Sequence, residues 1–266
     1  MNEKYASLEG ILQGYGSAAI AFSGGVDSTF LLYAAAKVLG EQACALTMRS
    51  AAFPDAEFDE AEEFCRTHGI RQVVLHMDQL QIPGFSENTP DRCYICKKAL
   101  FTGMKEEASR LGLNVLAEGS NVDDLGDYRP GLRALRELGI ASPLKEAGLT
   151  KADIRQLSAR AGLSTASKPS YACLATRLPY GEEITEEKLR MIGQGEQMIR
   201  AMGFSQVRVR MHGNMARIEV LPSETARMLD EEMRRQITAS LHGNGFSYVS
   251  LDLDGYRTGS MNEVLH

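Results

Sequence analysis

Ala18-Ala19-Ile20-Ala21-Phe22-Ser23-Gly24-Gly25-Val26-Asp27-Ser28 opens on an apolar run and ends on two glycines set between hydroxyl and carboxylate side chains. The run from Ala18 to Phe22 predicts a buried parallel strand. Thr29 to Leu39 carries apolar Phe30, Leu31, Ala34, Ala35 and Val38 at helical spacing and is closed by Gly40. The stretch is therefore a strand, a glycine turn and a helix N-terminus. Backbone N–H groups there lack intrahelical partners, and the helix dipole favours an anion. Gly24 and Gly25 admit close approach of a ligand to Val26 and its neighbours, and Ser23 and Ser28 add hydroxyls. Asp27 would repel a phosphate unless a cation, most naturally magnesium, bridges the two. The spacing is not that of G-x-x-x-x-G-K-[ST], which excludes the ordinary P-loop.

Working outward, strand-like runs recur at Ala43–Met48, Gln72–Met77 and Asn114–Ala117, separated by helical stretches near 55–68 and 98–111. Residues 1–16 predict a leading helix packed on the sheet edge. This alternation predicts an α/β domain with a parallel sheet, whose ligands bind beyond the carboxyl ends of the strands. Three loops fall there: Arg49 to Pro54, a long one carrying Asn88 to Lys97 with Cys93 and Cys96, and Glu118 to Gly131 with Gly119 and Asp124. The last fits a second phosphate- or metal-facing turn. Thr150-Lys151-Ala152-Asp153 has the pattern of a capping box opening a helix to about Ala161.

The proline-bounded segment Ser167 to Gly181 holds Cys173 between Lys168 and Arg177, two cations that would favour its thiolate. It marks the expected junction between residues 1–168 and a small α+β domain, residues 169–266. That domain predicts a helix at Glu186–Met202, strands at Gln206–Met211 and Met215–Leu221 joined by a tight turn, a helix at Ser223–Leu241 and a strand at Tyr248–Asp252. Arg208 and Arg210 alternate with valines, so both leave one sheet face, suited to a phosphate or simply to solvent.

The chain has 266 residues and a net charge of −6, which weighs against nucleic acid as the main partner. Its longest apolar run is far short of a membrane span and no signal-peptide layout opens it, so the cytoplasm is the expected location. Five cysteines without a secretion signal argue against a disulfide framework. Cys44 and Cys65 read as small core hydrophobes, and His68, closing the stripe Phe58, Ala61, Cys65, as a partly buried structural histidine. Cys93, Cys96 and Cys173 stand in polar, loop-like contexts. Three thiolates suit a [4Fe-4S] cluster with one open iron, whereas structural zinc usually takes four ligands. A Cys93–Cys96 redox disulfide is the competing reading, and it leaves Cys173 idle.

The SGGVDS loop resembles the pyrophosphate-binding loop of the PP-loop ATP pyrophosphatases. The order of this loop, Cys93-x-x-Cys96, Ala172 to Arg177, the Arg208/Arg210 strand and the tail Leu251 to Asn262 resembles the LarE-type sulfurtransferases of nickel-pincer nucleotide synthesis, over nearly the whole chain. The resemblance implies a PP-loop ATP pyrophosphatase fold followed by the α+β unit. It implies ATP held by Ser23 to Ser28 with Gly119 and Asp124, Mg2+ on Asp27, and adenylation of a carboxylate of pyridinium-3,5-biscarboxylic acid mononucleotide. A protein-bound sulfur then displaces AMP to leave a thiocarboxylate. It further implies mononucleotide binding by Arg208 and Arg210 and a catalytic set of Cys173, Asp27 and Arg177. Cys93 and Cys96 beside Cys173 resemble the branch that carries a three-cysteine [4Fe-4S] cluster; members with the single cysteine surrender its own sulfur. The expected partners are the mononucleotide, sulfide or another sulfur donor, and further copies of the chain in a homo-oligomer, with no nucleic acid and no membrane. A tRNA-thiolating enzyme of the same superfamily and a non-catalytic ATP sensor are the alternatives. The acidic balance weighs against the first, and a sensor would release no pyrophosphate.

Overall fold

The structure, a computed structural model, describes residues 2–126, 130–169, 172–257 and 259–261, with Asn2, Asp55, Leu125 and Gly126 described by their backbone alone. Asp127, Tyr128, Arg129, Ser170, Tyr171, Thr258 and Asn262, which belong to the segments discussed above, lie outside the described residues. The chain forms two compact units. The first comprises Met1–Ser50, Asp55–Ile82 and Asp91–Tyr171; the second comprises Ala51–Pro54, Pro83–Pro90 and Ala172–His266.

The first unit runs α1 (Asn2–Tyr15), β1 (Ala18–Ala21), α2 (Val26–Leu39), β2 (Ala43–Arg49), α3 (Asp55–Thr67), β3 (Arg71–His76), α4 (Arg92–Arg110), β4 (Val115–Ala117), α5 (Pro130–Leu138), α6 (Pro143–Glu146) and α7 (Lys151–Arg160). Its four strands form a parallel sheet in the order β3-β2-β1-β4, the α/β class expected from the alternation of apolar runs. The order reverses between β1 and β4, so the crevice for a ligand opens at their carboxyl ends. Ala18, Ile20, Phe30, Leu31, Ala45 and Ala117 lie in one continuous core. The leading helix is not at the sheet edge. It buries Leu8 and Leu12 in that core and packs on α2 and α6, with the Tyr5 and Phe30 rings 6.2 Å apart.

The second unit adds α8 (Glu186–Ala201), β5 (Val207–His212), β6 (Met215–Val220), α9 (Thr225–Met228), α10 (Glu231–Gly243) and β7 (Tyr248–Leu251). Its sheet has the order β5-β6-β7, with β5 and β6 antiparallel and β6 and β7 parallel. The expected single helix over Ser223–Leu241 is two, because the Asp230 side chain accepts from Met233 N–H and restarts the helix as an N-cap. Among the described residues no helix is long and apolar enough to cross a membrane.

Candidate active site

The loop after β1 takes its shape from its own serines. Gly24 adopts φ +70°, and a Cβ there would meet Glu57 O at 3.2 Å and the Ala61 Cβ at 3.3 Å, so glycine fits where larger residues strain. Ser28 Oγ lies 3.1 Å from Ser23 Oγ, accepts from Ser23 N–H and donates to Gly25 O. Gly25 is the N-cap of α2 and has no side chain to occupy the first N–H groups of that helix. Lys168 Nζ donates to Gly24 O at 3.1 Å, to Glu57 at 2.9 Å and to Glu60 at 2.6 Å. Burial works against its charge, but Glu60 and Glu57 outweigh burial and raise its pKa.

Gly119 lies against the first turn of α2: a Cβ would stand 3.0 Å from Ser28 N and 3.2 Å from the Asp27 carbonyl carbon. The loop after β4 thus packs directly on the glycine loop. Asn121 Nδ2 reaches Asp27 Oδ1 at 3.5 Å, and Lys151 Nζ donates to Asp27 Oδ2 at 2.5 Å. Asp124 accepts from Asn121 N–H, and Asp123 from Lys151 N–H, so both acids order the backbone around Asp27. Magnesium commonly uses one or two protein carboxylates and completes its shell with phosphate oxygens and water. Asp27 fits that donor set. Lys151 was read from sequence only as part of a capping box; its contact with Asp27 spans 124 residues and has no local signature.

Cys93 and Cys96 do not lie in a loop. Helix α4 starts at Arg92, just past Pro90, and its stripe of Cys96, Leu100, Phe101 and Met104 is buried. Three residues apart on the first turn, the two cysteines share a helix face. Cys96 Sγ accepts a hydrogen bond from Gln79 Nε2 at 3.0 Å. These two thiols would supply two ligands of a thiolate-bound metal group, which needs at least one more. Cys173 belongs to the second unit. No disulfide joins the five cysteines, and among the described residues no three His, Cys, Asp or Glu side chains form a metal-holding group. Cys44 and Cys65 are core residues, the Cys65 thiol pushed up to about 12 by burial. His68, expected to be partly buried, is exposed: it stacks on Phe64 at 4.1 Å and its Nδ1 meets Phe64 O at 2.9 Å.

In the second unit Arg177 is 1% exposed. It forms two hydrogen bonds with Glu196, at 2.8 and 3.1 Å, and Nη1 donates to the carbonyls of Ala172 and Cys173. The cations flanking Cys173 in sequence therefore both face carboxylates, Lys168 those of Glu57 and Glu60 and Arg177 that of Glu196. Arg208 and Arg210 do share a face, but it is buried rather than solvated. Arg210 pairs with Glu219 at 2.9 and 2.8 Å and reaches Thr176 O and Ser260 Oγ. Arg208 lies 5.3 Å from the Tyr256 ring centroid; burial first, then Arg177, brings its pKa down to about 10. Among the described residues of this unit three arginines, 177, 208 and 210, and two carboxylates, 196 and 219, are buried, and the half-buried Arg200 and Arg217 pair with the same carboxylates.

No protein-family model matches the chain. It is 40% identical over 263 residues to an uncharacterized protein of Synechocystis, covering 98% of each. It is 36% identical over 265 residues to the pyridinium-3,5-bisthiocarboxylic acid mononucleotide synthase of Lactiplantibacillus plantarum, covering 98% of this chain and 95% of that one. An uncharacterized protein of Methanocaldococcus jannaschii is 29% identical over 239 residues, 90% of each chain.

Proposed function

We propose, since the chain belongs to the family of the pyridinium-3,5-bisthiocarboxylic acid mononucleotide synthase, that it is an ATP-dependent sulfurtransferase acting on pyridinium-3,5-biscarboxylic acid mononucleotide in nickel-pincer nucleotide synthesis. The observation that carries this reading is the match along nearly the whole chain to a synthase of that name; the glycine loop supports the nucleotide chemistry. A substrate carboxylate oxygen attacks the α-phosphorus of ATP and breaks the α–β anhydride, and pyrophosphate leaves with that electron pair. A sulfide sulfur then attacks the acyl carbon and expels AMP with the pair of the C–O bond, leaving a thiocarboxylate.

Each residue has a part in this reading. The N–H groups of Gly24, Gly25 and Val26, with the hydroxyls of Ser23 and Ser28, cradle the phosphates at the start of α2. Asp27 would hold Mg2+, which would offset phosphate charge, and Lys151, the partner of Asp27 in the structure, supplies a cation at the same place. Gly119 and Asp124 line the nucleotide side. Arg208 and Arg210, which leave one sheet face, meet the mononucleotide phosphate. Arg177 is a positioning residue that holds the Cys173 backbone. Cys93, Cys96 and Cys173 would hold a [4Fe-4S] cluster, which would supply the sulfide.

The test is pyrophosphate release from ATP, with and without the mononucleotide. Release should require the mononucleotide and fall at least about a hundredfold in Asp27→Ala, the scale of losing a transition-state charge contact. Release independent of the mononucleotide, or full release by Asp27→Ala, would overturn the assignment.

A further inference from the structure

Lys168, read from sequence as a flank of Cys173, is left without a task by the reading above. Its side chain is 10% exposed. Arg155 donates to Lys168 O at 2.9 Å and to Ala166 O at 2.6 Å, so that side chain leaves from a fixed point. Its ammonium reaches Gly24 O across 144 residues and also meets Glu57 and Glu60 of α3. A trans peptide sets its C=O and the following N–H on opposite sides. Whatever holds Gly24 O therefore also decides where the Gly25 N–H points. The next carbonyl, Gly25 O, is held locally, by Ser28 Oγ at 3.2 Å and by Thr29 N–H at 2.9 Å. The peptide before it has glycine on both sides, with Gly24 at φ +70°. Such a peptide is the loosest in the loop, and turned over it would present a carbonyl where an anion needs an N–H. One ammonium facing two carboxylates brings no excess positive charge, so what it contributes at the loop is direction.

We propose that Lys168 is a positioning residue of the glycine loop, holding the Gly24 carbonyl back and so aiming the Gly25 N–H at bound phosphate. The role rests on the reading of this loop as the phosphate site. Helix α3 backs the arrangement: a Cβ on Gly24 would stand 3.2 Å from Glu57 O, and the Glu57 and Glu60 side chains keep the ammonium in place. Losing the ammonium alone takes the Lys168 cation from the Glu57 carboxylate, whose side chain is 13% exposed. That costs stability for a reason unrelated to the loop. Neutralising Glu57 as well removes this cost and still withdraws the donor from Gly24 O.

Inorganic pyrophosphate, titrated calorimetrically into the full-length protein with magnesium chloride present, reads the affinity of the loop, and urea midpoints read stability. Lys168→Met should lower both. Lys168→Met combined with Glu57→Gln should recover most of the midpoint and still bind pyrophosphate about tenfold more weakly than wild type, the scale of one hydrogen bond to a charged group. Glu57→Gln alone, which leaves the ammonium on Gly24 O, should bind pyrophosphate as wild type does. Wild-type affinity in the double variant overturns the positioning role. A loss of affinity that only matches a loss of folded protein, read by circular dichroism on the same samples, overturns it as well. Wild-type protein that binds neither pyrophosphate nor ATP overturns the phosphate reading of the loop, and the positioning role with it.

Discussion

Gly119 and Gly24 set how closely neighbouring backbone approaches the glycine loop. At Gly119 an added methyl would stand 3.0 Å from Ser28 N, and its neighbour is helix backbone that cannot swing aside. Gly119→Ala should therefore push the loop after β4 away from α2 and destabilise the first unit by about 1–3 kcal/mol, the range of overpacking in a tight contact. The same displacement moves Asn121 away from Asp27, so on the proposed reading of this loop as the ATP site, ATP affinity should fall with stability. Urea midpoints and nucleotide titrations read the two effects; wild-type values in both would show that the loops part without cost.

The start of α7 shows a whole element held by one acid. Thr150 caps the helix, Asp153 completes the capping box, and Lys4 of α1 bonds the same Asp153 oxygen at 2.7 Å. Lys4 foremost, then Thr150, lowers the Asp153 pKa from 3.8 to about 2. A carboxylate with a depressed folded pKa adds stability above its unfolded pKa and loses it as pH falls through the folded one. Asp153→Asn should thus lower stability at neutral pH by more than at pH 2, where the wild-type carboxylate is about half protonated and most of its contribution is lost; thermal melts at both pH values read this. A deficit of equal size at both would assign the effect to packing. Elements of this kind were legible because a cap and a box are local patterns. The early start of α4 and the break at Asp230 were not. Helix α4 begins without a side-chain cap at Asp91, ahead of the apolar pattern, whereas at Asp230 a polar residue inside a helical pattern acts as a cap.

At the scale of the molecule, the source of sulfur divides the two mechanisms the sequence left open. Cys93→Ala, Cys96→Ala and Cys173→Ala should each lose iron and sulfur transfer together while mononucleotide-dependent pyrophosphate release continues. If Cys93→Ala and Cys96→Ala instead support one turnover, and the intact mass then falls by H₂S with dehydroalanine at Cys173, sulfur comes from the chain itself. The sheet, its glycine loop and the α+β unit could be read from apolar runs and punctuation, since strand period and helix spacing are written within ten residues. Lys151 beside Asp27, Gln79 beside Cys96 and the burial of Arg177 could not, because each depends on side chains that meet only after folding. Glu196 has a consequence of the same non-local kind. Its carboxylate accepts from Arg177, from Arg200 and from the Val209 N–H, joining the Cys173 segment to a helix and a strand at one buried point. Freeing that segment by itself would bare a guanidinium and a carboxylate where water cannot enter until α8 and β5 separate. Exchange at the Cys173 backbone should therefore follow the opening of the whole unit rather than local fraying.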